Sequence, residues 1–522
     1  MPAMSAKRIS VIIPACNEAG TIYDCITAAS HLKPFEIIVV ANGCTDATAA
    51  IAKKSGCKVL EYASAVGHDV GRALGARMAE GDILLFLDAD FPIRSTDLSA
   101  FLSPVLSNRA DIVLNNMDPL FKKRQVPHST TIWRQMTNAF IGRDSLHIDS
   151  MLSVPHAMTR AALEQIGYKS LANPILAHIL ACRHPKLRIA RPMSIDVIGP
   201  NRYRLEEHHA ESGELSRSER RIIGDHLAAL ASTSAHPRMG FSDGGRRRDI
   251  VYQIKSGKMR PPVISGSSRL QVPSSTLYGG MSVSVIIPVQ DEEKTIRQVI
   301  REAKKIEPLE IIVVVNGSVD NTASVAAEEG ITVLRFAERL GNDVGRAAGA
   351  LVANGDILLF IDGDFVIPAD ALYRYVKPIS NGINMTFNDL NYYLRVRFPY
   401  NIVTAVKYGV NLALDRKDLG IASFIAVPHA VHRKVADHIG RDAFLSPVSA
   451  QVKAILGGFT AANAHRTEVD RMNRIRPEEH FAMKGHSRAV ERIIGDHAEG
   501  VLELIKIKGE RGLFPYWGRM PL

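Results

Sequence analysis

Four residues of this sequence return at one fixed displacement. Pro14, Asn42, Asp69 and Asp88 reappear as Pro288, Asn316, Asp343 and Asp362, each 274 residues later, and the register runs without a gap from about Ile9 to Phe91. Beyond Phe91 the displacement drifts only slightly. Pro155-His156 returns as Pro428-His429 (273), Glu207-His208 as Glu479-His480 (272), and Ile223-Gly224-Asp225-His226 as Ile494-Gly495-Asp496-His497 (271). A period this long is that of a duplicated whole domain, since solenoid units run to only about 20–50 residues. A chain of 522 residues has room for two large domains. They are expected at 1–231 and 281–522, and 232–280, rich in Ser, Gly, Pro and Arg, reads as a linker.

Each copy alternates strand and helix patterns. Ile9–Ile13 reads as a strand stopped by Pro14, and Glu18–Leu32 as a helix ended before Pro34. Glu36–Val40 is the second strand, and the turn Asn42–Asp46 caps a helix over Ala47–Lys54. A short strand near Val59, a helix over Asp69–Ala79 and a strand around Ile112–Leu114 follow. This order predicts a doubly wound α/β sheet in each copy, with right-handed crossovers. The strand that matters most is Gly81-Asp82-Ile83-Leu84-Leu85-Phe86-Leu87-Asp88-Ala89-Asp90, repeated as Gly355-Asp356-Ile357-Leu358-Leu359-Phe360-Ile361-Asp362-Gly363-Asp364. Its five apolar residues fit a strand buried on both faces. It ends on two acids separated by one small residue. In open α/β sheets ligands bind beyond the carboxyl ends of the strands. Paired carboxylates there suit a divalent cation that shares its coordination with a diphosphate.

Bulk composition excludes more than it selects. With 46% hydrophobic and 23% charged residues the chain is of ordinary globular type. Its longest aliphatic runs, such as Ile311–Val315, fall far short of the ~20 residues of a membrane span. Met1–Arg8 carries no apolar signal segment, so a cytoplasmic protein is expected. Cys16, Cys25, Cys44, Cys57 and Cys182 all lie in the first copy, and Gln290, Val299, Ser318, Ile331 and Ile455 replace them in the second. A disulfide or metal framework would have been kept, so all five are expected reduced. The net charge of +10 contains one dense basic run, Arg246-Arg247-Arg248, which reads as solvated linker charge rather than a nucleic-acid surface.

Four ordered motifs occur twice: Ser-Val-Ile-Ile-Pro-x-x-Asn/Asp-Glu, Val-x-Asn-Gly-x-x-Asp-x-Thr, Gly-Arg-Ala, and Leu/Ile-Asp-Ala/Gly-Asp. Together they resemble the family 2 glycosyltransferases of GT-A fold. The resemblance implies two tandem GT-A domains, a hexosyl-transferring enzyme, a nucleotide-sugar donor and a divalent metal, Mn²⁺ or Mg²⁺. A UDP-sugar is the first expectation and a GDP-sugar the second, with a saccharide or small hydroxyl compound as acceptor.

Carried onto this sequence, the resemblance places Pro14, Glu18, Asn42 and Asp46 (Pro288, Glu292, Asn316, Asp320) around the base and ribose. It places Asp88 and Asp362 on ribose or metal, and Asp90 and Asp364 on the metal. Asp69-x-x-Arg72 and Asp343-x-x-Arg346 open a helix, where a cation can hold a diphosphate. The alternative there is a helix cap followed by a surface arginine. The late block containing His208 and His480, after an acid (Asp196, Glu468) and several arginines, is similar to that of glucosyl-3-phosphoglycerate synthases and related retaining enzymes. In those a late His joins the metal, so His208 and His480 are expected ligands.

Two departures stand out. Ala41-Asn42 and Val315-Asn316 occur where many family members carry paired acids. Asn173-Pro174 and Ser446-Pro447 occupy the place of the Glu-Asp pair that supplies a general base in inverting members. The competing readings are a non-catalytic nucleotide- or carbohydrate-binding scaffold, one active copy beside an inactive one, and a nucleotidyltransferase. The last is disfavoured because Ala15-Cys16-Asn17-Glu18 is not a glycine-rich phosphate loop. Divergence between the copies, as at Phe121–Arg124 against Leu394–Arg397, predicts different acceptors or alternating additions to one polymer.

Overall fold

The computed structural model describes residues 7–121, 127–265, 277–395, 398–472, 479, 481–483 and 485–516. The chain forms two compact units. Unit 1 is Met1–Ser234 with Arg397–Tyr400 and Glu510–Leu522, and unit 2 is Ala235–Val396 with Asn401–Gly509.

Unit 1 is built on seven strands: β1 (Ile9–Ala15), β2 (Glu36–Asn42), β3 (Lys58–Tyr62), β4 (Ile83–Phe86), β5 (Ile112–Leu114), β6 (His156–Thr159) and β7 (Ile189–Ala190). They lie in the order β3-β2-β1-β4-β6-β5-β7. β1 pairs in parallel with β2 and β4, and β2 with β3, whereas β6 runs antiparallel to both β4 and β5. Unit 2 repeats the plan with β9 (Val283–Val289), β10 (Glu310–Asn316), β11 (Thr332–Phe336), β12 (Ile357–Phe360), β13 (Met385–Asn388), β14 (His429–His432) and β15 (Ala461–His465). Its sheet gains an eighth strand, β8 (Val263–Ser265), antiparallel to β11. The sheets are therefore mixed, not wholly parallel. The strand order turns back between β1 and β4, and between β9 and β12, which is where an α/β sheet opens a crevice for a ligand.

The D-x-D strands are buried on both faces, as their apolar runs require. All four residues of β4 and of β12 are 0% exposed. In unit 2, Ile357 and Leu359 join one core layer and Leu358 and Phe360 the other. Pro14 does not end β1. The strand continues to Ala15, with Pro14 opposite Val40 on β2. The Ile12 carbonyl accepts the Leu87 amide, so the backbone of Pro14, two residues on, faces the same side. Pairing with β4 has ended at Ile12 and Phe86, so the position needs no N–H.

The expected linker is only partly that. It supplies unit 2 with the helix Arg248–Lys255 and with β8, while Ser232 and Thr233 end the helix Arg217–Thr233 of unit 1. Val251 and Ile254 insert into a unit 2 core layer, giving this stretch an apolar face that a solvated linker lacks. No described helix is long and apolar enough to cross a membrane. The cysteines are all free.

A volume exchange distinguishes the two D-x-D turns. A Cβ added to Gly363 would stand 2.2 Å from Val289 Cγ1. Unit 1 has Ala89 and Ala15 at these two positions, the larger middle residue facing the smaller strand residue. Gly363→Ala is expected to destabilise unit 2 by about 1–3 kcal/mol through overpacking, and Val289→Ala in the same chain to relieve most of it. Chemical denaturation of the single and double variants measures this.

Candidate functional site

The site of unit 1 starts at the end of β4. The Leu87 amide donates to the Ile12 carbonyl at 3.0 Å, and the chain then leaves the sheet through Asp88-Ala89-Asp90. The middle residue is tied down from the first helix: Thr21 Oγ1 donates to the Ala89 carbonyl at 2.7 Å. Thr295 does the same to Gly363 in unit 2, at 2.8 Å. Glu18 lies one turn before Thr21, with its amide held by Thr48 Oγ1 at 2.8 Å, and Glu292 is held likewise by Thr322. Glu18 and Glu292 are buried.

Asp69 and Arg72 complete the constellation. Asp69 stands at the cap position of the helix Val70–Met78 with φ 63°, and its side chain makes no cap bond to the helix. Its Oδ1 instead accepts from Arg72 Nη1 at 2.8 Å, while Arg72 Nη2 reaches Asp88 Oδ1 at 3.3 Å. Asp343, Arg346 and Asp362 repeat this at 2.7 and 3.1 Å. Both arginines are buried, which removes the reading of a capped helix with a surface arginine. Burial alone would lower the Arg72 pKa, but Asp69 and Asp88 outweigh it and hold the guanidinium charged. The helix comes close enough because residue 71 has no side chain: a Cβ there would meet Pro14 Cβ at 3.0 Å, and one at Gly345 would meet Pro288 at 2.9 Å. Pro14 and Pro288 thus form the floor under the helix N-terminus.

The second acid of the motif has a different partner. Arg204 Nη2 lies 3.2 Å from Asp90 Oδ2 and also pairs with Glu18 Oε1. Sequence reasoning placed Arg204 only within the shared late block, yet among the described residues it is the cation paired with Asp90. Its counterpart Arg476, and with it His480, lie outside the described residues. His208 is exposed at the end of the helix Leu205–His208, with its ring nitrogen on the Arg204 carbonyl and its ring beside Tyr203.

Other expected residues play supporting parts. Asn42 does not present its amide outward. Its Nδ2 donates to the Gly67 carbonyl and its Oδ1 accepts from the Val66 amide, so it pins the loop that leads to Asp69. Asn316 holds Gly341 and Leu340 in the same way. Asp46 is exposed and accepts from the Ala19 and Thr48 amides; Asp320 accepts from Glu293 and Thr322. Burial raises the Asp46 pKa, but these bonds together outweigh it and leave the carboxyl below its usual range.

His156 and His429 are 0% exposed, stacked on Phe86 and Phe360. Burial pushes both pKa values down to about 3, so they are neutral core groups. His226 and His497 are likewise buried, within the long helices Arg217–Thr233 and Arg488–Lys508. Asn173 caps the helix Pro174–Arg183 and donates to the Asp225 carbonyl, and Ser446 donates to Glu499. Asp149 is committed to Arg191 and the Met117 amide.

Charge marks the site as short of cations. Burial, followed by the negative charge of Asp90, raises the Glu18 pKa against the pull of Arg204. Burial raises that of Asp90, with Arg204 opposing and Asp88 adding to it. Hard carboxylate oxygens held together with incomplete neutralisation fit a divalent cation. Among the described residues no three His, Cys, Asp or Glu side chains are arranged to hold one.

This fold and constellation define an α/β protein with an Asp-Arg-Asp cluster at the sheet's switch point, built twice. The family model for glycosyl transferase family 2 matches residues 10–167 and 284–440, more than half of the chain, and the chain belongs to that family. It is similar to the glycosyltransferase AglE of Haloferax volcanii, 32% identical over 119 residues that cover 21% of this chain and 39% of that protein. It is similar to the glucosyl-3-phosphoglycerate synthase of Mycobacterium tuberculosis, 35% identical over 100 residues covering 17% and 30%. The matches span less than half the length of these curated relatives. Protein RfbJ of Shigella flexneri is 39% identical over 112 residues, covering 21% of this chain and 85% of that protein. A crystal structure of the Mycobacterium tuberculosis synthase with Mn²⁺, UDP and glucosyl-3-phosphoglycerate aligns at a TM-score of 0.32 and 21% identity, covering 43% of this chain and 80% of that one.

The raised Asp90 pKa has a sign that can be checked. A carboxyl whose folded pKa exceeds its unfolded value binds more protons when folded, so its contribution to stability is present at low pH and lost as pH rises through the two values. Without added metal, Asp90→Asn is therefore expected to melt above wild type at pH 7.5, with the difference vanishing near pH 4. Paired thermal melts across that range measure it.

Proposed function

We propose that each unit transfers a sugar from a nucleoside diphosphate donor to a hydroxyl acceptor, a saccharide or a small molecule. The reading rests on one observation above the others: Asp69-Arg72-Asp88 and Asp343-Arg346-Asp362 are built alike at the switch points of two sheets. A decayed second copy would have had no reason to keep this buried pairing. UDP is the nucleotide we favour, supported by the relative crystallised with UDP and Mn²⁺.

In unit 1 we assign the donor pocket to Pro14, Glu18, Asp46, Asp69 and Arg72, with Asn42 acting through the loop it pins. Pro288, Glu292, Asp320, Asp343, Arg346 and Asn316 take the same parts in unit 2. Asp88 and Asp90, and Asp362 and Asp364, would hold a divalent ion. That ion supplies charge neutralisation on the departing diphosphate. Arg72 keeps the Asp88 carboxylate in one orientation, so that the motif is set before the donor arrives. Arg204 partly neutralises Asp90 and Glu18 in the free protein, and a diphosphate offers the same guanidinium an alternative anion. His208, which the resemblance puts on the ion, sits on the Arg204 carbonyl in the free protein and would have to leave it to reach Asp88 and Asp90. With no carboxylate at Asn173 or Ser446, deprotonation of the acceptor falls to the donor's own leaving group, which favours retention at the sugar.

Thermal shifts with UDP, GDP, dTDP and CDP, each with and without Mn²⁺, test the donor assignment on wild type, Asp90→Ala and Asp364→Ala. A ligand at 100 times its Kd adds about 2.7 kcal/mol of stability. A Mn²⁺-dependent shift with UDP, reduced in each variant, is the expected result. A shift abolished by one variant alone would leave the other unit without a donor site, and none with any nucleotide would overturn the proposal.

A further inference from the structure

Arg246 belongs to the basic run that reads as linker charge, yet its side chain is 0% exposed. Every nitrogen of its guanidinium is spent inside unit 2. Nε donates to the Asn342 carbonyl at 3.2 Å, and Nη2 to Asp343 Oδ2 at 2.6 Å. Nη1 and Nη2 also take the two oxygens of Asp496, at 2.7 and 3.0 Å. Asp496 lies on the long helix Arg488–Lys508, whereas Asp343 is the residue that holds Arg346 against Asp362. The result is a continuous row of alternating charge, Asp496–Arg246–Asp343–Arg346–Asp362, from that helix to the D-x-D motif.

The backbone around Arg246 reinforces the row. The Arg247 amide donates to the Leu340 carbonyl at 2.8 Å, in the same loop that Asn316 pins. A Cβ on Gly341 would stand 2.6 Å from the Gly245 carbonyl oxygen, so the two segments are in close contact. Arg238 shares the duty at Asp496, at 2.5 Å, and fits only because residue 495 is glycine: a Cβ there would lie 2.5 Å from its Nη2.

Unit 1 has the same device at the matching place. Arg511 donates to Asp225 Oδ1 at 2.6 Å and to the Arg221 carbonyl, over Gly224. Arg238-x-x-Phe241 and Arg511-x-x-Phe514 stand 273 residues apart, so the duplication extends past the last histidine pair.

We propose that Arg246 is a positioning residue of the unit 2 donor site. It holds the Asp343 oxygen that Arg346 does not, and so fixes the guanidinium that orients Asp362. The inference deepens the donor-site reading and rests on it for its consequence, while the geometric part can be judged without any ligand.

The test uses the full chain carrying Arg246→Met or Arg246→Lys, with Arg247→Met as the control at an exposed neighbour. Amide hydrogen exchange without ligand is expected to speed up about tenfold at 341–348 and 361–364, and to stay at the wild-type rate through the rest of unit 2. A purely structural role would instead speed exchange across the whole unit. Arg246→Lys keeps the charge but cannot span Asp343 and Asp496 with one fork, so it decides the matter if Arg246→Met fails to fold. In an Asp90→Ala background, which silences unit 1, the Kd for UDP with Mn²⁺ is expected to rise about tenfold. Wild-type exchange at 361–364 in a folded variant overturns the proposal. Failure of wild type to bind UDP overturns the donor reading instead, and the exchange rates still judge the positioning role.

Discussion

The pairing of one buried arginine with two aspartates is what the rest of each site depends on. Asp88 and Asp90 leave a fully buried strand side by side, and like charges in such a place repel unless something holds them. Arg72 holds the first from beneath, itself fixed by Asp69. Removing one partner of the buried Arg72–Asp69 pair costs about 3–5 kcal/mol, because the other charge is left uncompensated. The requirement reaches outward. Asp69 takes a left-handed backbone so that its side chain turns to Arg72 and not to the helix amides. Gly71 lets the helix rest on Pro14, and Asn42 fixes the loop that delivers Asp69.

The second acid is left to a cation that comes from far along the chain. Arg204 is 186 residues from Glu18, and it does not fully offset the penalty that burial and neighbouring negative charge place on ionised Glu18 and Asp90. On the proposed reading, a site whose first acid is locked and whose second is only partly neutralised would take a cation that arrives with its own anion. This division of labour is the physical content of the glycosyltransferase reading. It also separates the parts of the site that are rigid from the part free to exchange partners.

Much of this was legible in the residues. The displacement of 274 exposed the duplication, and the apolar run before each D-x-D predicted a doubly buried strand that the sheets contain. The strand-helix alternation located the first four strands of each unit within a few residues. What stayed hidden were the partners, because charge on a sequence carries no mark of burial. Arg246 and Arg247 are neighbours of one type, yet one is sealed between two aspartates and the other is 41% exposed. Asn42 reads as a base-binding amide until its two loop contacts are seen. Pro14 reads as a strand terminator because the end of β4 beside it cannot be inferred from local pattern. The signal that would have found Arg238 and Arg511 was present, in the Arg-x-x-Phe that repeats after the last matched histidines.

Two like-built sites in one chain is the central claim, and locating the ion tests it most directly. Crystals grown with UDP and Mn²⁺, with anomalous data collected at the manganese edge, would show where the metal goes. The account predicts two peaks per chain, one on Asp88 and Asp90 and one on Asp362 and Asp364, each with UDP oxygens completing the shell. A single peak, or manganese bound away from both D-x-D turns, would contradict it.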